Sequence, residues 1–548
     1  MHNTTTSQTV RGIGVTSRLA AGPLRFYREK AIQKRRLPSQ GSDAEWARIQ
    51  KALELGRQRT VALYERALQM VGEEEAQIFE IHAMLLEDED FLEGIREELN
   101  RGASAEEALE RATDRFERVI ASLDDPYLSA RAADIRDISH TVSEILSSEG
   151  EDEDPSDAPF ILVADDLTPS QTVRLDKSQI LGFVTLRGTP NSHTAILARA
   201  MGIPALVAVG ELDRSWDGSF ALLNAAEGTL TLGPTEAEIF VFEARQRKED
   251  RIAEEHDRYL RSLMNKPATT VGGHRILIYA NIGDGDEVSA ALANGADGIG
   301  LLRSEFLYLG CTDYPDEERL FEAYSEIARR MEGRRTVIRT LDVGADKPIP
   351  YFGLPEEENP ALGFRAIRVC LARKDLFKTQ LRAILRASAC GRLAVMLPMV
   401  VSVSEVQRSR RLLEECMEEL RAEKRPFDSA MEFGVMIETP AAAIMCEELA
   451  REVDFFSVGT NDLAQYTLAA DRQNPALDQL IRENTEPILR MIAKASEAIH
   501  RRGGWIGVCG ELAADLSLTQ RFADLAIDEL SVSVPYLLGV RGKVIECN

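Results

Sequence analysis

The sequence predicts a multidomain α/β protein: an α/β domain that carries an inserted helical bundle, followed by a C-terminal (β/α)8 TIM barrel. Residues 43–146 are rich in Ala, Glu, Leu and Arg with apolar residues at helical spacing, and strand-like runs lie on both sides of them. From Gly273 to the end, eight apolar strand-like runs alternate with helical segments over a typical barrel length.

The first half of the chain is interpreted as one discontinuous domain. Short strand-like runs over residues 11–27 resume as alternating strands and helices over 160–232, and the acidic stretch 147–159 between them cannot bury an apolar face. The strands before and after the helices can therefore share one sheet. We expect these boundaries: 1–28 and 158–233 for the α/β domain, 29–157 for the helical insertion, 234–265 for a helical linker and 266–548 for the barrel.

The second half of the chain predicts a barrel because it contains eight strand-like runs. An open doubly wound sheet is the structural alternative. The barrel makes the sharper prediction that reactive residues directly follow the strands. The predicted strands are Arg275–Ala280, Gly298–Leu302, Val337–Leu341, Ala394–Leu397, Phe433–Ile437, Phe455–Val458, Trp505–Cys509 and Leu530–Val532.

Charged or reactive residues lie at the ends of five of these eight predicted strands, which packing alone does not explain. These residues are Arg303, Glu305, Arg339, Asp342, Glu438, Asn461, Asp462 and Cys509.

The composition indicates in which cellular compartment the protein acts and which class of partner it binds. No uninterrupted apolar run of about eighteen residues occurs and residues 1–10 are polar, so we expect neither a membrane span nor secretion. The formal net charge of −25 argues against a nucleic-acid partner. This negative charge would suit a basic protein partner. On charge alone, the simpler explanation is that the acidic residues keep the protein soluble.

The seven cysteines indicate reduced thiols in a cytoplasmic protein, because their number is odd and no CxxC spacing occurs. They are Cys311, Cys370, Cys390, Cys416, Cys446, Cys509 and Cys547.

One histidine lies in a distinctive loop. Residues 188–199 read GTPNSHTAILAR, and Asn191 or Ser192 can cap a short helix over 194–201. His193 would then lie at the positive end of that helix, where free backbone N–H groups stabilise a phosphoryl group. A neutral imidazole is also a competent nucleophile near neutral pH. A lone histidine at a helix start is more often only a polar residue, so the assignment depends on its surroundings.

Those surroundings resemble the phosphohistidine signature of the phosphoenolpyruvate-utilising enzymes, G-G-x-T-S-H-x-A-I-x-A-R. By this resemblance His193 is the phosphorylated residue of a swivelling phosphohistidine domain. Residues 165–170 resemble the family's D-L-T-P-S stretch, which makes Thr168 a candidate to orient His193. Thr189 and Asn191 depart from the signature, where the family has a glycine and a threonine, and Asn191 can still cap the helix.

The barrel segments match what binding of phosphoenolpyruvate requires. Its phosphate and carboxylate call for several arginines, and a divalent cation with oxygen ligands would stabilise the enolate. Seven segments, taken in their order along the chain, resemble the Enzyme I family of the bacterial sugar phosphotransferase system: 298–308, 339–347, 359–368, 436–440, 457–463, 471–472 and 508–511. The resemblance extends from about Gly12 to residue 533. The resemblance implies Arg303, Arg339, Arg365 and Arg472 as substrate-clamping arginines, Asn461 as a substrate contact, Glu438 and Asp462 as Mg²⁺ ligands, and Cys509 as proton donor to the enolate.

The same resemblance implies a partner and an assembly. The phosphoryl group would pass from His193 to a histidine of the small phosphocarrier HPr, and the barrel would form a homodimer. The helical insertion would dock HPr. Its segment 73–98 holds many acids, Glu80 and Glu87 among them, with apolar residues interleaved, which suits a basic partner. A solvated helix with a core face is the simpler interpretation for any single residue.

Two other functions remain open at this stage. Pyruvate phosphate dikinase and phosphoenolpyruvate synthase share the histidine domain and barrel, but they need a large nucleotide-binding domain ahead of the histidine, and no G-x-x-x-x-G-K-[ST] loop occurs here. A binding protein that senses phosphoenolpyruvate without turnover is the alternative from another class. The complete set of His193, Glu438, Asp462 and Cys509 argues against it.

Overall fold

The computed structural model describes residues 7–27, 41–71, 73–121, 132–147, 158–175, 178–190, 192–309, 311–344, 349–355, 357–472, 474 and 477–548. The chain divides into two compact units, Met1–Ile252 and Ala253–Asn548. Each unit has its own sheet and its own hydrophobic core. The predicted acidic stretch 147–159 falls mostly outside the described residues.

The first unit contains one eight-stranded sheet in the order β1-β8-β7-β3-β4-β5-β6-β2. The central strands β3 to β6 pair in parallel, and the other pairs are antiparallel. The strands are β1 (Gln8–Arg11), β2 (Ile13–Gly14), β3 (Leu19–Phe26), β4 (Phe160–Ala164), β5 (Ile180–Thr185), β6 (Ala205–Val207), β7 (Phe220–Asn224) and β8 (Thr229–Leu232).

Strand β4 shows why this sheet is covered on both faces. All five of its residues are buried. Ile161 and Val163 pack into one core cluster, whereas Phe160, Leu162 and Ala164 pack into another. This alternation follows from the two-residue period of a strand.

The helical insertion lies between the neighbouring strands β3 and β4. It has its own core, which includes Ile49, Phe91 and Ile95. Its helices are Ser42–Val71, Glu73–Leu85, Glu89–Asn100, Ala105–Ala121 and Ala132–Leu146. The first unit also contains helices Pro169–Arg174 and His193–Met201 and the short 3-10 helix Arg214–Trp216. The predicted helical linker is the single helix Glu236–Ser262, none of whose residues is buried.

The second unit is a closed barrel of eight parallel strands, in which β16 pairs with β9 to complete the ring. The barrel prediction is confirmed and the open doubly wound alternative is wrong. Predicted and observed strand ends differ by at most two residues. The strands are β9 (Leu277–Ile282), β10 (Gly298–Arg303), β11 (Thr336–Arg339), β12 (Leu393–Leu397), β13 (Glu432–Ile437), β14 (Phe455–Gly459), β15 (Trp505–Cys509) and β16 (Glu529–Ser533).

Along each barrel strand, one residue faces the barrel interior and the next faces the surrounding helices. Met436 and Cys509 belong to the interior cluster, whereas their neighbours Ile437 and Val508 pack outward. The surrounding helices are Glu287–Ala293, Glu317–Arg330, Ile367–Ala372, Lys374–Ser388, Val403–Ala422, Pro440–Ile444, Cys446–Leu449, Thr460–Leu468, Asp478–Glu483, Glu486–His500, Glu511–Ala514, Thr519–Asp524 and Leu537–Glu546. Short 3-10 helices cover Ser304–Leu307, Pro350–Phe352, Pro360–Leu362 and Val534–Tyr536. In the described part of the chain, every helix is too short or too polar to cross a membrane.

Candidate functional site at the carboxyl ends of the barrel strands

The barrel brings two predicted arginines to the ends of neighbouring strands. Arg303 and Arg339 are the last residues of β10 and β11, and their Cα atoms are paired in register. Arg339 is buried and forms ion pairs with Glu305 and, at 3.3 Å, with Asp342. Parallel strands end at the same edge, so residues 36 positions apart in the sequence become neighbours.

Asp342 also holds Arg365. The Arg365 Nη2 atom donates to both carboxylate oxygens, at 3.0 and 2.9 Å, and Nε donates to Oδ1 at 3.2 Å. The remaining nitrogen, Nη1, donates to the Tyr466 hydroxyl at 3.4 Å and lies 3.8 Å from Asp462 Oδ1. Several hydrogen bonds to one carboxylate fix the guanidinium plane, because its donors are rigidly spaced.

Asp462 joins two of the predicted arginines. It lies in the first turn of the helix that follows β14, and its carboxylate lies 3.8 Å from Arg365 and 3.7 Å from Arg472. The backbone N–H of Arg472 donates to Gln465 Oε1 at 3.0 Å, which ties the Arg472 segment to the same helix.

Glu438 is a deeply buried carboxyl group of the cluster. It follows β13 and is only 1% exposed. Oε1 accepts a hydrogen bond from Met399 N, and Oε2 is buried without a hydrogen-bond partner. Burial, with the nearby charges of Asp462 and Asp342, raises the pKa of Glu438 to about 8.

These atoms fit a divalent cation with hard oxygen ligands. Glu438 Oε2 and Asp462 Oδ1 are both buried and lack hydrogen-bond partners. Among the described residues no cluster of three or more His, Cys, Asp and Glu side chains is arranged to hold a metal. Two carboxylates with substrate and water completing the shell is the arrangement typical of Mg²⁺ in phosphoryl-transfer sites.

Cys509 ends β15 and is 2% exposed. Ser457 Oγ donates to its sulfur at 3.4 Å, and the thiol lies 3.4 Å from the carbonyl oxygen of Val458. Burial raises the pKa of the Cys509 thiol to about 12. The thiol therefore carries its proton at neutral pH and can act as an acid.

Asn461 lies beside Cys509 at the next strand end. Its Oδ1 accepts from Glu511 N at 2.9 Å, and the hydroxyl of Thr460 donates to the Cys509 carbonyl at 3.0 Å. These bonds link the loops after β14 and β15 and hold Asn461 at the rim.

Sequence reasoning missed Tyr466, which helps to position Arg365. The Tyr466 hydroxyl accepts from Arg365 Nη1 at 3.4 Å and donates to the carbonyl of Ala361 at 2.5 Å. The available signal was spacing, because Tyr466 is four residues after Asp462 on one helix and so faces the same side.

The remaining two predicted site residues, His193 and Thr168, lie in the first unit. Helix His193–Met201 begins one residue before the predicted start at Thr194, with Ser192 as N-cap accepting from Ala195 N at 3.4 Å and Gly202 ending it in the left-handed region. The side chain of His193 and the whole of Asn191 lie outside the described residues. The hydroxyl of Thr194 donates to the Leu167 carbonyl at 3.3 Å, which ties this helix start to the Thr168 loop.

Thr168 forms the N-cap of helix Pro169–Arg174 in a capping box with Gln171. Its hydroxyl donates to Asp137 Oδ1 at 2.8 Å. Asp137 belongs to the helical insertion, so the two parts of the first unit meet at Thr168.

The predicted docking segment 73–98 is only partly available as a surface. Phe79 and Leu86 are buried core residues, whereas Met84 is 71% exposed. The Glu87 side chain is 70% exposed and lies 3.8 Å from Arg57. The side chains of residues 73–75 and of Glu80 lie outside the described residues. A partner can therefore contact Glu87 and Met84 directly, but it cannot contact the buried apolar residues.

Known protein families match both the first and the second unit of this chain. Models of the N-terminal, mobile and PEP-binding domains of PEP-utilising enzymes match residues 11–131, 156–228 and 257–548. A phosphoenolpyruvate-protein phosphotransferase of Staphylococcus aureus is 39% identical over 92% of this chain and 88% of its own length. One of Listeria innocua is 38% identical over 98% and 93%, respectively.

A solution structure of an Enzyme I (nEIt) protein is 29% identical, covering 44% of this chain and 99% of its own, with a TM-score of 0.38. The family models together span most of the sequence, and the full-length relatives exceed a third in identity. The chain therefore belongs to the PEP-utilising enzymes and, within them, to the phosphoenolpyruvate-protein phosphotransferases.

Proposed function

We propose that this chain transfers the phosphoryl group of phosphoenolpyruvate to His193, releases pyruvate, and then passes the phosphoryl group to a histidine of the phosphocarrier HPr. The observation that carries the proposal is the cluster of arginines and two unpartnered carboxylate oxygens at the strand ends. A small trianion needs several fixed cations, and this cluster supplies them.

The arginines bind and orient the substrate. Arg339 and Arg365 are held by Asp342, and Arg365 and Arg472 flank Asp462. Guanidinium groups fixed in this way need little reorganisation when phosphate or carboxylate arrives, which favours charge stabilisation in transfer. Arg303, at the end of β10, and Asn461, at the rim, complete the substrate-binding set.

Glu438 and Asp462 would hold Mg²⁺ through their unpartnered oxygens. When bound, this ion supplies positive charge for the phosphate oxygens and for the enolate. The protein contributes the oxygen ligands and the buried setting that strengthens their attraction for a cation.

His193 and Cys509 carry the covalent and proton steps. An imidazole nitrogen of His193 forms the N–P bond as the bond between phosphorus and the enol oxygen breaks. Cys509 then gives its thiol proton to the methylene carbon of the enolate, which completes the methyl group of pyruvate. The raised pKa of the Cys509 thiol keeps that proton available at neutral pH.

The domain arrangement follows from this cycle. Residues 1–28 and 158–233 form the phosphohistidine domain, 29–157 the HPr-binding insertion, 234–265 the linker and 266–548 the substrate-binding and dimerising barrel. Transfer requires His193 to reach the barrel-bound substrate and then HPr, so the cycle calls for hinges, and the linker helix Glu236–Ser262 is one of them. The other predicted hinge, the acidic stretch 147–159, lies mostly outside the described residues. We expect this reaction cycle to take place in the cytoplasm, and we expect the barrel to form a homodimer. Cross-links that hold the phosphohistidine domain away from the barrel should abolish labelling of His193.

Radiolabel transfer from phosphoenolpyruvate tests the proposal. Wild type with Mg²⁺ should acquire acid-labile, alkali-stable label, and either EDTA or His193→Ala should prevent it. Added HPr should then remove the label. Tight binding of phosphoenolpyruvate without labelling of the protein would favour a binding protein that senses phosphoenolpyruvate without turnover. ATP-dependent phosphorylation of pyruvate would favour pyruvate phosphate dikinase or phosphoenolpyruvate synthase.

A further inference from the structure

A buried glutamine on an outer helix reaches two strand ends of the barrel. Gln380 lies on helix Lys374–Ser388 and is 1% exposed. Its Oε1 atom accepts from the backbone N–H of Leu341 at 3.0 Å, and its Nε2 atom donates to Ser304 Oγ at 2.9 Å. Ser304 directly follows β10, and Leu341 lies just beyond the end of β11. One side chain therefore joins the ends of two neighbouring strands from outside the barrel.

Both N–H groups and the carbonyl oxygen of this amide are bonded within the protein. The second N–H of Gln380 donates to the Tyr324 hydroxyl at 3.1 Å, and Tyr324 is fully buried on helix Glu317–Arg330. Because the backbone N–H of Leu341 can only donate, the oxygen of the amide must face it. The three bonds therefore hold the Gln380 side chain in one orientation.

Gln380 takes over from the sheet at the point where the chain leaves the barrel wall. The backbone N–H of Thr340 donates to the carbonyl of Met396 on β12 at 2.9 Å, and the next N–H, that of Leu341, donates to Gln380. Leu341 is 1% exposed, and a buried N–H group without a partner is unfavourable. The glutamine thus fixes the backbone directly before Asp342.

The two strand-end partners of this glutamine each directly precede a carboxylate of the site. Glu305 follows Ser304, and Asp342 follows Leu341. Both carboxylates form ion pairs with Arg339, which is itself the last residue of β11. A shift of either strand end would therefore move one of the two groups that hold this guanidinium.

We propose that Gln380 is a positioning residue for binding of phosphoenolpyruvate: by holding the strand-end segments that carry Glu305 and Asp342, it fixes the guanidinium of Arg339. This role rests on the proposed function, in which Arg339 binds the substrate. A guanidinium that is already held in place loses less conformational freedom when it binds phosphate or carboxylate, so loosening the strand ends should weaken binding.

Titration calorimetry with phosphoenolpyruvate and Mg²⁺ tests this role in the full chain carrying His193→Ala, which removes turnover. Gln380→Met, a substitution of similar length without the amide, should raise the Kd about fivefold or more. Ser388→Ala is the matched control on the same helix. The buried Ser388 hydroxyl accepts from Asp428 N at 2.8 Å and donates to the Leu385 carbonyl at 2.6 Å. This control should lower the thermal midpoint and leave the Kd unchanged.

A second readout separates positioning from a general loss of stability. With His193 intact, Gln380→Met should raise the KM for phosphoenolpyruvate by the same factor as the Kd, with kcat within about threefold of wild type. Partial unfolding would instead lower the active fraction, and therefore kcat, without changing KM.

Ser304→Ala breaks the same link at the end of β10 and should raise the Kd in the same direction. Because both substitutions remove one connection, the double variant should lose less than the two single losses combined. Ser304→Ala also replaces Gln380→Met if the methionine variant does not fold.

An unchanged Kd in folded Gln380→Met, a fall of kcat alone, or fully additive losses with Ser304→Ala would overturn the role of Gln380 and leave the proposed function intact. Binding of phosphoenolpyruvate without labelling of His193 in the wild type would overturn the proposed function instead. The Kd of Gln380→Met would then still decide whether Gln380 positions the binding site.

Discussion

Arg365 is fixed to Asp342 by three hydrogen bonds, two from Nη2 at 3.0 and 2.9 Å and one from Nε at 3.2 Å. Asp342 also pairs with Arg339 at 3.3 Å, so one buried carboxylate orients two of the arginines proposed to bind the substrate. Contacts within the protein therefore fix the orientation of both guanidinium groups. Catalysis that depends on fixed charges is sensitive to such geometry.

Arg365→Lys should raise the KM for phosphoenolpyruvate about tenfold or more while the fold is kept. A lysine ammonium is a point charge and cannot reproduce the planar set of bonds to Asp342. Steady-state kinetics of pyruvate release would measure the change. Arg386→Lys is the control, because Arg386 is equally buried but pairs with Glu317 and Glu318 on a neighbouring helix. An equal rise of KM in both variants would contradict the assignment.

Asp462→Asn should weaken binding of Mg²⁺ about tenfold or more, because the charge of one of two oxygen ligands is removed. Isothermal titration of the metal-free protein with Mn²⁺ or Mg²⁺ measures the affinity directly. Glu511→Gln is the control, since Glu511 lies at the rim in contact with Asn461 and is outside the proposed ligand pair. Unchanged affinity in Asp462→Asn would remove Asp462 from the site.

Cys509→Ala should leave phosphoenolpyruvate affinity within about threefold of wild type and slow pyruvate formation about a hundredfold. The loss follows because this variant lacks the thiol that we propose donates the proton to the enolate. Single-turnover quenching separates binding from product formation. Cys446→Ala, which removes a buried thiol from an outer helix, should behave as wild type. Normal pyruvate formation without Cys509 would mean that another group or water donates the proton.

The free energy of unfolding should depend on pH because Glu529 is a buried carboxyl group of the barrel. This carboxyl group is 1% exposed, and burial raises its pKa to about 8. Between the ordinary carboxyl pKa and about 8, the folded protein binds a proton that the unfolded chain has released, so stability falls as pH rises. The metal-free protein should lose about 1 kcal/mol per pH unit from this group over that range.

Glu529→Gln should remove this dependence in part. Glu438 has a pKa raised in the same direction, so its contribution to the slope remains. Thermal midpoints of the metal-free protein between pH 5 and 8 would show the difference. Glu332→Gln, an exposed glutamate of the same unit, should keep the full slope. A wild-type slope in Glu529→Gln would mean that Glu529 titrates at its ordinary pKa.

Glu87→Lys should slow phosphorylation of HPr about threefold or more and leave His193 labelling unchanged. An exposed acid of the docking segment affects encounter with a basic partner more than it affects chemistry elsewhere. Transfer from labelled protein to HPr at low ionic strength gives the rate. Glu332→Lys is the charge-matched control on the barrel unit. Equal rates for both reversals would place docking on another surface.

The sequence by itself determined the order of the elements and the residues that end the barrel strands. Strand and helix patterns are local, because side chains alternate every two residues in a strand and recur about every 3.6 in a helix. The (β/α)8 prediction then forces the ends of β10, β11, β13, β14 and β15 to one rim, and Arg339, Glu438, Asp462 and Cys509 follow from it.

Local pattern could not show which of the apolar residues in segment 73–98 face outward. Phe79 is 1% exposed and Met84 is 71% exposed, although both lie on one helix rich in acids and apolar residues. Their difference depends on which neighbouring helices cover each face. That covering is set by packing between helices that lie far apart in the sequence.

Only the tertiary structure decided the pairings that give the site its chemistry. Asp342 meets Arg365 across 23 residues, and Asp137 meets Thr168 across 31. Tyr466 and Arg365 lie 101 positions apart. Hydrogen bonds extend only about 3 Å, so contacts between distant residues depend on the packed positions of whole elements. The raised pKa of Glu438 has the same origin, because burial and neighbouring charge arise only when the barrel closes.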